Sequence, residues 1–292
     1  VQVIVNPAAA GGRLGRQWPR LERRLRGSGL EVTATWTAAP GHATELAARL
    51  AATGVDRVVV AGGDGTVCEA AEGLADSGGC RLAILPLGTG NDAARTLGVP
   101  LDLEAAARLA AEGGWRSVDL IRVGDRLVLN AIGVGLTADI NHRAVRIKWL
   151  RGIAVYLVTA TVSLFRFSAP PVRIVASGRE VRSTMTILAI HNGPTTGGGF
   201  ALTPDAVPDD GLLDATLVPD VPISGRFQRL VGALRGTLHT MDGSLTFRAP
   251  MLELHHDRPL AVHLDGNPGL LDGPVTRFEI VPRALKVVVP GG

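Results

Sequence analysis

A glycine loop enclosing one carboxylate, Gly62-Gly63-Asp64-Gly65-Thr66, lies between the β-branched run Val58-Val59-Val60-Ala61 and a segment of helical character from Val67 to Leu74. A short apolar run bounded by glycine suits a buried parallel strand. A strand that turns through glycines into a helix leaves unpaired backbone N–H groups at the helix start, and these, with the helix dipole, attract phosphate. Three glycines can also serve a tight turn and nothing more. Asp64 tips the balance, because a carboxylate among phosphate-binding amides repels the ligand unless a divalent cation or a proton transfer involves it. The loop therefore reads as a nucleotide site with Mg²⁺. No Walker lysine serves it: the chain has only Lys148 and Lys286 against 28 arginines, and neither lies in a GxxxxGK[ST] context.

One strand later the arrangement repeats. Leu82 to Leu85 runs into Pro86-Leu87-Gly88-Thr89-Gly90-Asn91-Asp92 and then an apolar helix start at Ala93. Thr89 offers a hydroxyl, Gly88 and Gly90 permit close backbone approach, and Asn91 or Asp92 can cap the helix. Loops at the carboxyl ends of successive parallel strands are where open α/β sheets bind ligands. A third glycine loop, Gly133-Val134-Gly135-Leu136-Thr137-Ala138, fits a dinucleotide fingerprint but is rejected as one. That fingerprint expects an acidic residue about 20 positions on, and none occurs between Asp139 and Glu180; close packing at a strand end is the simpler reading.

Six motifs stand in order along nearly the whole chain: Val5-Asn6-Pro7 with a glycine pair after it, Thr37 to Ala43, Gly62 to Thr66, Pro86 to Asp92, Pro204 to Asp214, and Leu264-Asp265-Gly266. Together they resemble the bacterial lipid kinases of the diacylglycerol kinase catalytic superfamily, which also contains sphingosine and ceramide kinases. The Gly62–Thr66 loop alone is shared with NAD kinases and, in related form, with phosphofructokinases, so Pro86–Asp92 and the Asp210 segment discriminate. The resemblance implies ATP contacts at Asn6, Thr37, Gly62, Gly63, Asp64, Gly65, Thr66, Val67, Cys68 and Thr89, with Asn91 and Asp92 in the second loop. It implies Asp265 as the catalytic base, Asp64 and Asp92 with Asp119 as organisers of Mg²⁺, and a separate metal site made by the Asp210 side chain and the carbonyls of Val207 and Leu212. Oxygen-only ligands suit that ion. The chain departs from the family pattern at Asn267, where glutamate is usual after Asp-Gly, and at Cys68, where asparagine is usual.

The elements that must position these residues follow from pattern. Residues 1–120 alternate short β-branched runs, the first from Val1 to Val5, with helical segments, which indicates a doubly wound parallel sheet. Within residues 11–28, Leu14, Trp18, Leu21 and Leu25 form one apolar stripe and six arginines decorate the rest. From about 121 to 283 strand-like stretches predominate: Pro171–Ala176, Thr184–Ile190, Leu213–Val218 and Leu260–Leu264. The resemblance implies an α/β N-terminal domain of the NAD kinase/diacylglycerol kinase type and a β-sandwich-like C-terminal domain, with residues 284–292, including the run Leu285–Val289, returning to the first. His255, His256 and His263 read as strand surface without metal geometry. The apolar segment Gly152–Phe165, flanked by Lys148, Arg151 and Arg166, is too short to span a bilayer, as a run of this length is more often a buried helix or an interfacial element; it reads as core packing, or functionally as a wall of the acyl-chain pocket with the flanking cations near lipid headgroups.

Composition excludes disorder, since 46% apolar content over 292 residues suffices for two cores. Cys68 and Cys80 have no metal-ligand spacing and read as reduced thiols. With no signal-peptide pattern, the expected location is cytoplasmic, peripherally associated with the inner face of the membrane. A sequence pI of 9.4 suits an anionic membrane surface. Nucleic acid is not expected as a partner, because aromatics are 4% of the chain and do not interleave with the basic residues. Self-association into a homodimer stays open. The expected activity is transfer of the γ-phosphate of ATP, with Mg²⁺, to a hydroxyl of a diacylglycerol-like lipid. The alternatives are an NAD-kinase-like soluble kinase and a catalytically weak lipid-binding or regulatory protein.

Overall fold

The structure is a computed structural model that describes residues 1–27, 31–75, 77–146 and 153–291, without the side chains of 145–146 and 153–157. Lys148, Arg151 and Gly152 lie outside the described residues. The chain divides into two compact units. The first comprises Val1–Leu120, Pro208–Asp210 and Val281–Gly292, and the second Ile121–Val207 and Gly211–Ile280.

In the first unit the order is β1 (Gln2–Val5), α1 (Ala9–Gly27), β2 (Thr33–Trp36), α2 (His42–Ala52), β3 (Arg57–Gly62), α3 (Asp64–Leu74), β4 (Arg81–Pro86), α4 (Asp92–Thr96), α5 (Leu103–Glu112) and the greater part of β5 (Gly114–Val123). Strands β2, β1, β3 and β4 lie side by side and parallel, with Val5 level with Trp36 and Ala61, and Gly62 level with Pro86. Sequence order therefore reverses between β1 and β3, the switch point at which open α/β sheets open a crevice. The apolar runs of β1, β3 and β4 are buried on both faces, as a covered parallel sheet requires, while β2 at the edge is not. The α1 stripe Leu14, Trp18, Leu21 and Leu25 packs inward, and Trp18 meets Trp36 edge to face at 5.9 Å. The start of α1 is interrupted at Ala10, Gly11 and Gly12, all at positive φ, so the glycine pair makes a left-handed turn before the helix proper. Asp102 caps α5 by accepting from the N–H of Ala105 at 2.9 Å.

The second unit adds β6 (Arg126–Val128), β7 (Ala131–Gly135), α6 (Leu136–Arg146), α7 (Ile153–Arg166), β8 (Pro171–Ala176), β9 (Arg179–His191), β10 (Leu213–Pro219), α8 (Ile223–Arg235), β11 (Leu245–Ala249), β12 (Met251–His255), β13 (Leu260–Leu264), β14 (Asn267–Leu271) and the first half of β15 (Val275–Val289). It is a β-sandwich. Strand β9 joins the layers: its first half pairs with β8 and its second half with β7 and β10. Period-two alternation sorts the side chains. Ile132, Val134, Leu188, Ile190, Leu213, Ala215, Leu217 and Val262 enter the core between the sheets, where they meet Ile174, Leu252, Leu254 and Phe278. The intervening residues Ile187, Ala189 and Val218 face outward into a second core with Leu136, Leu164 and Ala233 of α6, α7 and α8. No helix among the described residues is long and apolar enough to cross a membrane.

The second half of β15 belongs to the first unit, where Lys286 and Val287 pair in parallel with Arg81 and Leu82 of β4.

The histidines differ from the sequence expectation. His256 is 6% exposed and His263 7%, not strand surface. His256 hydrogen-bonds the carbonyl of Arg258 through Nδ1 at 2.8 Å, and His263 lies on the helix-covered face of β13. There, a Cβ on Gly133 would overlap His263 Nε2 and lie 2.5 Å from Thr137 Oγ1. Gly133 is thus a close-packing glycine on an antiparallel strand, which removes the dinucleotide reading. Burial holds His263 neutral, at about 4, with His142 nearby adding to the shift. Burial, and then His263, depress His191 to about 3.

Candidate active site

In the first unit four strands end level with one another, and the sequence-predicted nucleotide residues fall on the loops that leave them: Asn6 after β1, Thr37 after β2, Gly63 to Thr66 after β3, and Leu87 to Asn91 after β4. The loops are tied across the switch point. Asn6 Nδ2 donates to Thr66 Oγ1 at 2.8 Å, and Asn6 Oδ1 accepts from the N–H of Ala8 at 2.9 Å. Asp64 Oδ1 accepts from the N–H of Ala93 at 3.0 Å, joining the start of α3 to the start of α4. The N–H of Leu87 donates to the carbonyl of Gly62 at 2.9 Å.

Glycine is needed where these loops touch. A Cβ on Gly88 would overlap the Cα of Gly63 and lie 2.9 Å from Asn91 Oδ1, and one on Gly62 would lie 2.8 Å from the Cβ of Thr66. Asn91 adopts a left-handed conformation, φ 56°, in which Oδ1 accepts from the N–H of Gly88 at 2.9 Å. Its side chain thus shapes the second loop from within and does not cap α4. Thr37 is half-buried and Thr89 exposed.

Burial separates backbone roles from side-chain roles. Thr66, Val67 and Cys68 are 5%, 2% and 5% exposed, so their side chains are core, and the N–H groups of Thr66 and Val67 donate to the carbonyl of Gly63 at 3.0 and 3.1 Å, which leaves the amides before them at the helix start without an intrahelical partner. Cys68 therefore fills core volume where the family has asparagine. Asp92 is 5% exposed, whereas Asp64 is half-buried and its Oδ2 has no partner among the described residues. Asp119 is 1% exposed and its carboxylate accepts from the N–H of Arg283 at 2.7 Å, while its own N–H donates to the carbonyl of Pro208 at 2.7 Å. It thus fastens three chain segments.

In the second unit Asp265 and Gly266 are the two central residues of the hairpin between β13 and β14, at φ 49° and 81°, with Leu264 paired to Asn267. Left-handed φ at both positions is the twist-matched two-residue turn for which Asp-Gly is a favoured sequence. The Asp265 carboxylate accepts three backbone N–H groups: Leu129 on Oδ2 at 2.8 Å, and Asn130 and Ala131 on Oδ1 at 3.0 and 2.8 Å. Its own N–H donates to the carbonyl of Ala131 at 2.8 Å, and Asn141 Nδ2 donates to the carbonyl of Gly266 at 3.0 Å. Asn192 holds the same segment from below, donating from Nδ2 to Leu129 O at 3.0 Å. Residues 129–131, Asn141 and Asn192 were not anticipated, because their partners are more than 60 residues away and no local pattern marks them. Asn267 is half-buried on the first residue of β14.

Asp210 is exposed ahead of Gly211, which has φ 79°, and Val207 is exposed. One carboxylate and two carbonyls make a hard oxygen donor set that suits Mg²⁺ once water completes the shell. Among the described residues no three His, Cys, Asp or Glu side chains converge as a metal cluster.

Comparison with known proteins matches both units. The profile of the diacylglycerol kinase catalytic domain covers residues 1–123, and that of the YegS C-terminal NAD kinase beta sandwich-like domain covers residues 130–289. The "probable lipid kinase YegS-like" of Pseudomonas savastanoi pv. phaseolicola is 37% identical over 275 residues, 92% of this chain and 87% of that one. Its namesake in Pseudomonas aeruginosa strain PAO1 is 37% identical over 276 residues, 92% and 88% of the two chains. A crystal structure of a diacylglycerol kinase from Bacillus anthracis str. Sterne superposes with a TM-score of 0.74 at 25% identity, over 99% of this chain and 96% of that one.

Proposed function

The chain belongs to the diacylglycerol kinase catalytic-domain family of lipid kinases, and from that premise we propose that it transfers the γ-phosphate of ATP, with Mg²⁺, to a hydroxyl of a diacylglycerol-like lipid. The observation that carries the nucleotide part is the tie between Asn6 and Thr66 across the β1/β3 switch point, with Asp64 bonded to Ala93 beside it. These contacts preset the loops in which backbone amides can surround a triphosphate without reorganising on binding. Thr37 and Thr89 would supply hydroxyls, and the Asp64 carboxylate would hold the cation. Mg²⁺ would supply positive charge against the phosphate oxygens, held by Asp64 at the nucleotide and by Asp210 with the carbonyls of Val207 and Leu212 at the second position.

In the transfer, the lipid hydroxyl oxygen forms a bond to the γ-phosphorus as the bond to the β,γ-bridging oxygen breaks. ADP leaves and the hydroxyl proton passes to a carboxylate. Asp265 is the family-matched base. The three amides on its carboxylate favour a second reading, in which Asp265 fixes the 264–267 turn and another group receives the proton. Three of the roughly four acceptor sites of a carboxylate are already filled.

The test is incubation with Mg²⁺, radiolabelled ATP and mixed micelles carrying diacylglycerol, monoacylglycerol, phosphatidylglycerol, sphingosine or ceramide, beside Asp64→Asn and Asp265→Asn. Label in one lipid, lost in Asp64→Asn, is expected. Asp265→Asn puts an amide donor against backbone N–H groups and lowers stability by about 1–3 kcal/mol in either reading; a base role also lowers kcat at temperatures where the variant is folded, whereas an anchoring role alone leaves that kcat unchanged. With NAD added as a further acceptor, labelled NADP and no labelled lipid would overturn the proposal in favour of an NAD kinase. ATP binding with no labelled product would point to a regulatory lipid-binding protein, with Asn267 as the position to restore to glutamate.

A further inference from the structure

Two helices of the second unit carry a large apolar stripe on their outer face. On α7, Thr159, Ala160, Ser163 and Leu164 are buried, while Val158, Val162 and Phe165 point to solvent at 44%, 38% and 59%. On α8, Arg229, Gly232 and Ala233 are buried, while Ile223, Phe227, Val231 and Leu234 are exposed. The exposed positions recur at helical spacing, 158/162/165 and 223/227/231/234, so each set is a continuous stripe. Phe165 and Phe227 meet edge to face at 5.9 Å and join the stripes into one surface.

This surface is held rigidly. Arg226 of α8 donates from Nη1 to the carbonyls of Leu164 and Phe167 at 2.8 and 2.9 Å, closing the C-terminal end of α7, and from Nη2 to Asp220 at 2.7 Å. Arg229 donates from Nη2 to the carbonyl of Asp242 at 2.6 Å. Large apolar residues outside, over an inner face that is mostly small or polar apart from Leu164, is the pattern helices adopt when their outer medium is apolar. A contiguous exposed apolar surface of this kind marks an interaction site.

We propose that the α7/α8 face is the membrane-docking surface of this protein and that its occupant is the headgroup–acyl boundary of an anionic bilayer. Charge selects that occupant. Neither helix carries an Asp or Glu, and the exposed charges at their ends are Arg166 and Arg235. A second copy of the chain docking on the same face would set arginine rims against each other, whereas arginines beside an apolar stripe match anionic headgroups over acyl chains. Neither helix can span, so the stripe enters the interface and stops there. The choice of a bilayer over an apolar protein partner rests on the lipid-kinase reading.

The experiment is co-sedimentation of the full chain with vesicles of phosphatidylcholine and phosphatidylglycerol, against pure phosphatidylcholine. It compares wild type, the triple variant Phe227→Ser/Val231→Ser/Leu234→Ser, and Arg166→Gln/Arg235→Gln. Lipid phosphorylation is measured in parallel on a short-chain diacylglycerol dispersed below its micelle concentration. Expected are binding to anionic vesicles at least tenfold weaker in the triple variant, a smaller salt dependence in the arginine variant, and unchanged turnover of dispersed substrate in both. Equal vesicle binding by wild type and triple variant overturns the docking surface. So does a wild-type dimer that the triple variant abolishes with no vesicle binding by either. Vesicle binding lost in the triple variant with no lipid ever phosphorylated overturns the kinase reading and leaves the docking surface standing.

Discussion

Gly88 and Gly63 bring two loop backbones into contact, and the contact leaves no room for a methyl group. Gly88→Ala therefore wedges the β4 loop from the β3 loop, an overpacking cost of about 1–3 kcal/mol. ATP affinity is expected to fall at least tenfold while the second unit keeps its melting behaviour, which isothermal titration and calorimetry would check. The buried histidines make a pH-dependent contribution of defined sign. His191 and His263 have folded values depressed to about 3 and about 4, so below the unfolded value near 6.5 the unfolded chain binds more protons. Their contribution to stability is complete above pH 6.5 and is lost as pH falls toward 4 and 3, at roughly 1.4 kcal/mol per pH unit for each histidine. Melting temperature measured from pH 7.5 to 4.5 should fall on the acid side, and the slope should flatten in His263→Gln whatever that variant's basal stability. The glycine loops were legible because strand, glycine and helix start are adjacent in sequence. The state of His263 was not, since it depends on α6 covering a sheet face, a tertiary event without local pattern.

At the scale of elements, the strands from Pro171 to Ala176 and from Leu260 to Leu264 have the bounds that β-branching and flanking glycine or proline indicate. The α1 stripe is buried as its spacing requires. The apolar pattern marks only Leu285–Val289 of β15, which runs from Val275. Its earlier half alternates Phe278 and Ile280 inward with Arg277 and Glu279 outward, a period-two signal that charge disguises. Helix α8 likewise carried its own punctuation, Pro222 before it and Gly236 at φ 69° after it. The passage of β15 toward β4 depends on Asp119, which accepts the N–H of Arg283 at a left-handed turn. Asp119→Ala leaves that donor unpaired and is expected to cost about 1–3 kcal/mol. The readout is a lowered melting temperature.

At the scale of the whole molecule, the first unit is not one stretch of chain. It closes only when Val281–Val289 lies beside β4, with Lys286 level with Arg81. A fragment ending at residue 120 would leave β4 as an open apolar edge, the kind that recruits other strands. It is expected to aggregate on size-exclusion chromatography, whereas the full chain does not. That arrangement also sets an order of events during synthesis. Domains usually fold as they emerge from the ribosome, N-terminal first, but here the strand that closes the first sheet is coded after the sandwich. The first unit must wait, incomplete, until the sandwich coded within it has left the exit tunnel. A translation product cut short before Val281 thus carries β4 without its neighbour.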